Sequence, residues 1–358
     1  MSVRFSLGAV AREAVDRVLP RLVDERIASA ITAQDDSLWG RDTEPGALPR
    51  LGWTEAVARS RPLVPRIVAL RDRARRSGAE RVLLVAPPAT ALGAATVVRT
   101  QGLELDVLTE PSRLGEVLPA GGATTAVVLA QPADATLPAG LVGAARRLLA
   151  EAGADPAQRL VVVAPSGSAL EREAQEAGAA VLAAEPDVGD AFSVLTPAGL
   201  VAAGLAGADL GELLDEAESE LLDLAIDAPA NNGLVLAAAL AGTDPRRTRI
   251  AIVAAGTHLV GFAEWAAHLL VAATSALGHA GLGAFVLPPE HDLPPGDDLL
   301  VVRLVADAGD GRGQRPTDDE LAVSGTLGEL LLVWQTATAA AGWLLGTDPF
   351  ATDRAVAP

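Results

Sequence analysis

The chain has 358 residues, 50% of them hydrophobic, with 35 Gly, 24 Pro and a formal net charge of −18. Every basic residue is Arg, and Lys, Cys and Tyr are absent; Schiff-base lysines, thiolate nucleophiles, disulfides and cysteine-bound zinc are thereby excluded. Such acidity repels a phosphate-rich polymer, so no nucleic-acid partner is expected, although a local pocket can overrule the global field for a small anion.

Length alone favours two domains, or two halves of one, with ample material for buried cores. No positively charged leader precedes an apolar stretch at the N-terminus, and no apolar run reaches the ~18 uninterrupted residues of a membrane span. A soluble, cytoplasmic chain without a membrane partner is expected.

To about Gly78 the chain reads as helical and charged. Val23, Ile27, Ala30 and Ile31 fall at i, i+4, i+7 and i+8, one face of a helix. Ile67, Leu70 and Ala74 repeat the pattern in a second helix that Gly78 can cap. The stretch from Asp35 to Trp53 between them is a long connection. Apolar runs of strand length follow at Arg81–Ala86, Leu105–Leu108, Thr125–Ala130 and Leu160–Ala164, with a weaker one at Ala180–Ala183. Helical segments separate them, most clearly Ala139–Ala150 and Ser168–Ala177, the latter with Ser166-Gly167-Ser168 as its turn and cap. Continuously apolar strands alternating with helices predict a parallel sheet covered on both faces.

A second unit begins near Ser193. Its helices are predicted at Gly211–Leu224, Gly233–Ala241, Gly261–Ser275 and Leu327–Leu345, and its strands at Arg249–Ala254, Gly283–Leu287 and Leu299–Val305. The acidic helix Gly211–Leu224 gathers Leu213, Leu214, Ala217, Leu221 and Leu224 on one apolar face, and the Ala-rich segment from Leu330 to Leu345 reads as a buried helix. Pro288–Asp298 and Ala306–Glu320 are loops by composition. The predicted fold class is α/β: two three-layer α/β/α sandwich units with parallel sheets, 79–192 and 193–358, after an N-terminal helical segment, 1–78.

Three strand–loop–helix junctions stand where an α/β protein holds its ligand: Ala86-Pro87-Pro88-Ala89-Thr90-Ala91, Gln131-Pro132-Ala133-Asp134-Ala135-Thr136 and Gly189-Asp190-Ala191-Phe192-Ser193. Proline has no backbone N–H to give an anion, and alanine has no polar side chain. His258, His268, His279 and His291 are too scattered for a metal signature, and Asp307-Ala308-Gly309-Asp310-Gly311 lacks the spacing and bidentate Glu of a calcium loop. Neither a metal nor a cofactor is expected.

Further segments carry a family likeness. These are Ala33-Gln34-Asp35-Asp36-Ser37-Leu38-Trp39-Gly40, Leu51-Gly52-Trp53, Ser60-Arg61-Pro62-Leu63 and Leu213-Leu214-Asp215-Glu216-Ala217, with the stretches Glu185 to Thr196, Trp334 to Gly342 and Leu345 to Phe350. In character and order they resemble the glucose-6-phosphate isomerases of actinobacteria over nearly the whole chain. The resemblance implies two sugar-isomerase (SIS) domains, usually in a homodimer, and a place in hexose-phosphate metabolism. The implied reaction moves a proton between C1 and C2, which needs a carboxylate base, a cation for the oxyanion and a donor-rich phosphate cradle.

Those groups are missing. The family's Gly-Met-Gly-Gly-Ser-Ser-Leu loop falls on Ala86–Leu92, where Thr90 is the one hydroxyl, and its Ser-Lys-Ser-Gly-Gly-Thr loop falls on Gln131–Thr136, where Thr136 is retained. Its Arg falls on Ala191 and its proton-accepting Glu on Ala272, and its Lys-bearing tail falls on Ala351–Pro358, which holds no Lys. Each lost donor or base typically costs roughly 10²–10⁴-fold in rate.

The favoured reading is therefore an inactive family member acting as a scaffold or regulatory partner, as a homodimer or with a metabolic enzyme. One alternative is an active aldose–ketose isomerase whose base comes from elsewhere, for instance His268, one helical turn before Ala272. Another is a sensor that binds a hexose phosphate through Thr90, Gln131, Thr136 and His268. Each of these four residues also has an ordinary reading as a cap, a turn or a packed helix side chain.

Overall fold

The computed structural model describes residues 3–40, 50–275, 281–291, 293–294, 296–309 and 316–351. His279, Asp310, Gly311 and 352–358 of the tail lie outside them. The first helices are α1 (Ala9–Asp24), α2 (Ile27–Thr32), α3 (Ala56–Ser60), α4 (Val64–Arg76), α5 (Pro88–Thr100), α6 (Leu114–Val117) and α7 (Leu141–Glu151). They are followed by α8 (Pro156–Arg159), α9 (Ala169–Glu176), α10 (Pro197–Ala206), α11 (Leu210–Leu224), α12 (Asn232–Ala241), α13 (Phe262–Thr274) and α14 (Leu327–Leu345). The strands are β1 (Arg4–Leu7), β2 (Arg81–Val85), β3 (Asp106–Leu108), β4 (Thr125–Ala130), β5 (Leu160–Ala164), β6 (Ala180–Ala183), β7 (Arg249–Ala254), β8 (Gly283–Val286), β9 (Leu299–Leu304) and β10 (Glu320–Ser324).

The chain divides into two compact units, 55–214 and 1–54 with 215–358. In the contiguous unit the sheet order is β3-β2-β4-β5-β6, every pair parallel. Alternate residues of a strand face opposite ways, and both faces are apolar. Leu83, Val85, Val127, Leu129, Leu160 and Val162 pack on Val142, Ala145 and Leu149 of α7 and on Leu170 and Ala174 of α9. The other face meets α10, which α4 and α5 cover in turn. The chain passes from β2 outward to β3, then returns across β2 to β4. The strand order thus reverses between β2 and β4, and in open α/β sheets the crevice beyond the strand C-termini at such a reversal is where ligands bind.

The discontinuous unit has the order β1-β10-β9-β7-β8, parallel except for β1, which runs antiparallel to β10 with Arg4 opposite Ser324. Helix α14 packs against α12 and α13, and α1 against α12. Phe262 of α13 lies tilted against Trp265 at a centroid distance of 5.4 Å and edge-to-face against Trp334 of α14 at 5.5 Å.

The α/β class with parallel sheets agrees with the sequence, and β4, β5, β6, β7 and α14 have the predicted bounds. Five points differ from the sequence reading. The helix through Val23 and Ile31 is two helices, because Arg26 adopts left-handed backbone (φ 57°) between α1 and α2. Glu320, expected in a loop, opens strand β10, and β1 replaces the expected helical start. Helix α10 has no counterpart among the predicted elements. Residues 1–78 do not stand together: 1–54 cluster with the C-terminal part, through β1 on β10 and α1 on α12, and 55–78 with the other unit.

Asn231 illustrates how turns are fixed. Its buried side chain accepts from the Leu234 N–H at the start of α12 and donates to the Leu224 and Ile226 carbonyls, both at 3.0 Å. Asn231→Ala removes the side-chain partner of the Leu234 N–H and the Leu224 carbonyl, both buried contacts, while the Ile226 carbonyl keeps the Ala228 N–H; it should cost about 1–3 kcal/mol in urea unfolding, and a loss below about 0.5 kcal/mol would contradict this account.

Candidate functional site

The β2/β4 reversal brings the first two junctions side by side, and the third joins them. Helix α5 starts with Pro87 extended (φ −60°, ψ 161°) and Pro88 in its first turn, with no side-chain cap of its own. Its first N–H groups need an acceptor from elsewhere. Asp190 supplies it: its carboxyl group accepts from the N–H groups of Ala89 (3.2 Å) and Thr90 (2.8 Å) and from Thr90 Oγ1 (2.7 Å). Thr90 Oγ1 also lies 2.8 Å from Ser193 Oγ, which donates to the Asp190 carbonyl at 2.9 Å. Asp134, from the second junction, accepts from the Asp190 N–H at 2.7 Å, and the Ala133 N–H donates to the Val188 carbonyl at 3.2 Å. A side chain at Gly189 would overlap the Asp134 carboxylate, so this approach requires glycine.

The segment leading to Asp190 is anchored from behind. Arg59 of α3 pairs with Glu185 and Asp187, each at 2.9 Å, and with Glu55 at 2.6 Å, while Ser60 Oγ donates to the Leu195 carbonyl at 2.8 Å. Withdrawal from water pushes the Asp190 carboxyl above the ordinary carboxylate range. The three donors oppose that rise, and the nearby Asp134 charge adds to it.

Of the sequence candidates, Thr90 and Gln131 are buried and engaged in structure. Gln131 Oε1 accepts from the Leu137 N–H at 3.1 Å, closing its own loop. Thr136 is exposed on that loop, and His268 lies half-buried on α13 of the other unit. Thr90, Gln131 and Thr136 thus share the strand ends of one unit, and His268 is part of the other unit. Ala191 is buried. Asp190 and Ser193 stand in the third junction the sequence marks, but are not among the candidate side chains Thr90, Gln131, Thr136 and His268. The available signal is the Pro87-Pro88 start of α5, a helix without a cap in its own sequence. Among the described residues no group of His, Asp and Glu is placed to hold a metal ion, and no helix is long and apolar enough to cross a membrane.

Neither a sequence-family model nor a curated protein matches the chain. Solved structures do. A hypothetical protein of Thermus thermophilus aligns over 98% of this chain and 96% of its own at a TM-score of 0.73 and 18% identity. A glucose-6-phosphate isomerase from Chlamydia trachomatis aligns over 98% and 85% at 0.70 and 15%. A tagatose-6-phosphate ketose/aldose isomerase from Escherichia coli aligns over 86% and 94% at 0.52 and 14%. At such identities these are likenesses of fold, and the fold is the one found among phosphosugar isomerases.

Thr90→Val keeps the shape of a buried side chain but removes both of its hydroxyl contacts. The variant should fold with unchanged far-UV circular dichroism and lose about 1–3 kcal/mol in denaturant unfolding.

Proposed function

We propose that this chain is a non-catalytic protein on the phosphosugar-isomerase fold, acting by association in hexose-phosphate metabolism, either with a second copy or with an enzyme that handles these sugars. One observation carries the reading. At the strand reversal, where a sugar phosphate needs free donors, the two N–H groups of α5 that remain after Pro87 and Pro88 are bonded to the protein's own Asp190. The Thr90 and Ser193 hydroxyls point into the same cluster. Asp134 beside them repels an incoming phosphate rather than attracting it.

The reacting groups support the same reading. Isomerisation requires a base within reach of C1 and C2 and a cation beside the developing oxyanion. By the resemblance, these positions hold Ala272 and Ala191. A methyl group neither accepts a proton nor stabilises an oxyanion, and the loss of cooperating groups leaves almost no rate.

Purified protein given fructose 6-phosphate should form no glucose 6-phosphate above about 10⁻⁴ of an ordinary enzymatic rate. Calorimetry with either ester should give a Kd above about 1 mM, or no heat. Turnover in the ordinary range of about 1–10³ s⁻¹ would overturn the proposal and point to a base such as His268. Tight binding without turnover would replace the scaffold with a sensor.

A further inference from the structure

We propose that the cleft between the last turns of α4 and the start of β2 binds a diphosphate-type anion through Arg71, Arg75 and Arg81. The inference goes beyond the proposed function and concerns a different place in the same unit. This cleft lies at the opening ends of β2 and β4, whereas the crevice of the strand reversal lies at their closing ends. Arg81 and Val85, which bound β2, are roughly 13 Å apart along the strand.

Acidic residues outnumber basic ones by 46 to 28, so carboxylate partners are plentiful. Arg73, Arg75 and Arg76, within one turn of α4, nevertheless have none among the described residues. Basic side chains at a helix end commonly serve its last carbonyls. Here those carbonyls are already bonded. The Ser77 N–H donates to the Arg73 and Ala74 oxygens at 3.2 and 3.1 Å, and the Gly78 N–H to the Arg75 oxygen at 2.9 Å. Buried Arg159 donates to the Ser77 carbonyl and, through Nε, to Ser77 Oγ at 3.0 Å. The Arg75 guanidinium is not needed there, and it has no hydrogen-bond partner among the described residues.

Arg71 and Arg75, one helical turn apart, line the cleft together with Arg81, over about 330 Å³ that includes its open mouth. Gly207, in left-handed backbone (φ 115°), leaves room for Arg75, since a Cβ there would stand 2.9 Å from Nη2. Arg71 Nε donates to Asp72 at 3.1 Å, and Arg81 Nε and Nη2 donate to Asp106 at 3.1 and 2.7 Å. Both Nη groups of Arg71 and the Nη1 of Arg81 stay uncommitted among the described residues. Glu80 and Glu104 also line the cleft, but both are exposed and screened by solvent.

Guanidinium groups bind phosphate through paired N–H donors. One phosphate held by Arg71 and Arg75 gains little against Glu80 and Glu104. Two linked phosphoryl groups carry more charge and engage Arg81 as well. Monophosphates are accordingly weak ligands of this cleft.

The test is titration calorimetry of the full-length protein with inorganic pyrophosphate and inorganic phosphate at low salt. Pyrophosphate should bind with a Kd of about 0.1 mM and phosphate above about 1 mM. R75A should weaken pyrophosphate about tenfold, and R75K, which keeps the charge but loses the fork, should weaken it less. R147A, which removes an exposed arginine of α7, should leave the affinity unchanged. In the wild type, the Arg75 Nε resonance should shift as pyrophosphate is added, which locates the site without a variant. Absence of heat with pyrophosphate at millimolar concentration overturns the proposal, as does equal affinity in R75A. Inorganic phosphate binding as tightly as pyrophosphate overturns it too.

Discussion

Two backbone N–H groups at the start of α5 have no carbonyl of their own helix to bond, and much of the neighbouring structure is arranged around satisfying them. A helix that opens on Pro87-Pro88 gains a pre-set φ but brings no Ser, Thr, Asp or Asn at its cap. The acceptor therefore comes from Asp190, 100 residues beyond Thr90. For Asp190 to reach, its segment must turn tightly and Gly189 must leave room for Asp134. Arg59 holds Glu185 and Asp187 in place behind it. Each of these residues makes sense only given the one before it.

The same arrangement separates fold from chemistry. A helix N-terminus beside a strand reversal is a ready place for an anion. In this chain that place is taken by an internal carboxyl group, and the hydroxyls that would contact a ligand contact each other. The framework shared with the phosphosugar isomerases of Chlamydia trachomatis and Escherichia coli needs none of those donors to be free. Packing of the strands and helices is set by apolar side chains, so the scaffold can persist whatever stands in the loops.

Much of the scaffold is legible in the sequence because its signals are local. Thr125–Ala130 and Leu160–Ala164 are unbroken apolar runs, buried on both sides of the sheet. What escapes has no local signal. Helix α10 is buried all round, so it shows no polar face and no helical period. Strand β1 is four residues long, with Arg4 exposed, and owes its existence to a partner far along the chain. The break at Arg26 rests on one left-handed residue that is not glycine. At the site, the Ala- and Pro-rich make-up of Ala86–Ala91 and Gln131–Thr136 can be read directly, whereas the Asp190 contact joins positions no periodicity connects.

The sheet of the discontinuous unit has a temporal implication. Its edge strand is Arg4–Leu7 and the strand it pairs with is Glu320–Ser324. A ribosome must release the chain through Glu320–Ser324 before these can meet, while the unit formed by 55–214 needs only its own contiguous stretch. The inserted unit is therefore placed to finish first during synthesis, with Arg4–Leu7 waiting for a neighbour that emerges more than 300 residues later.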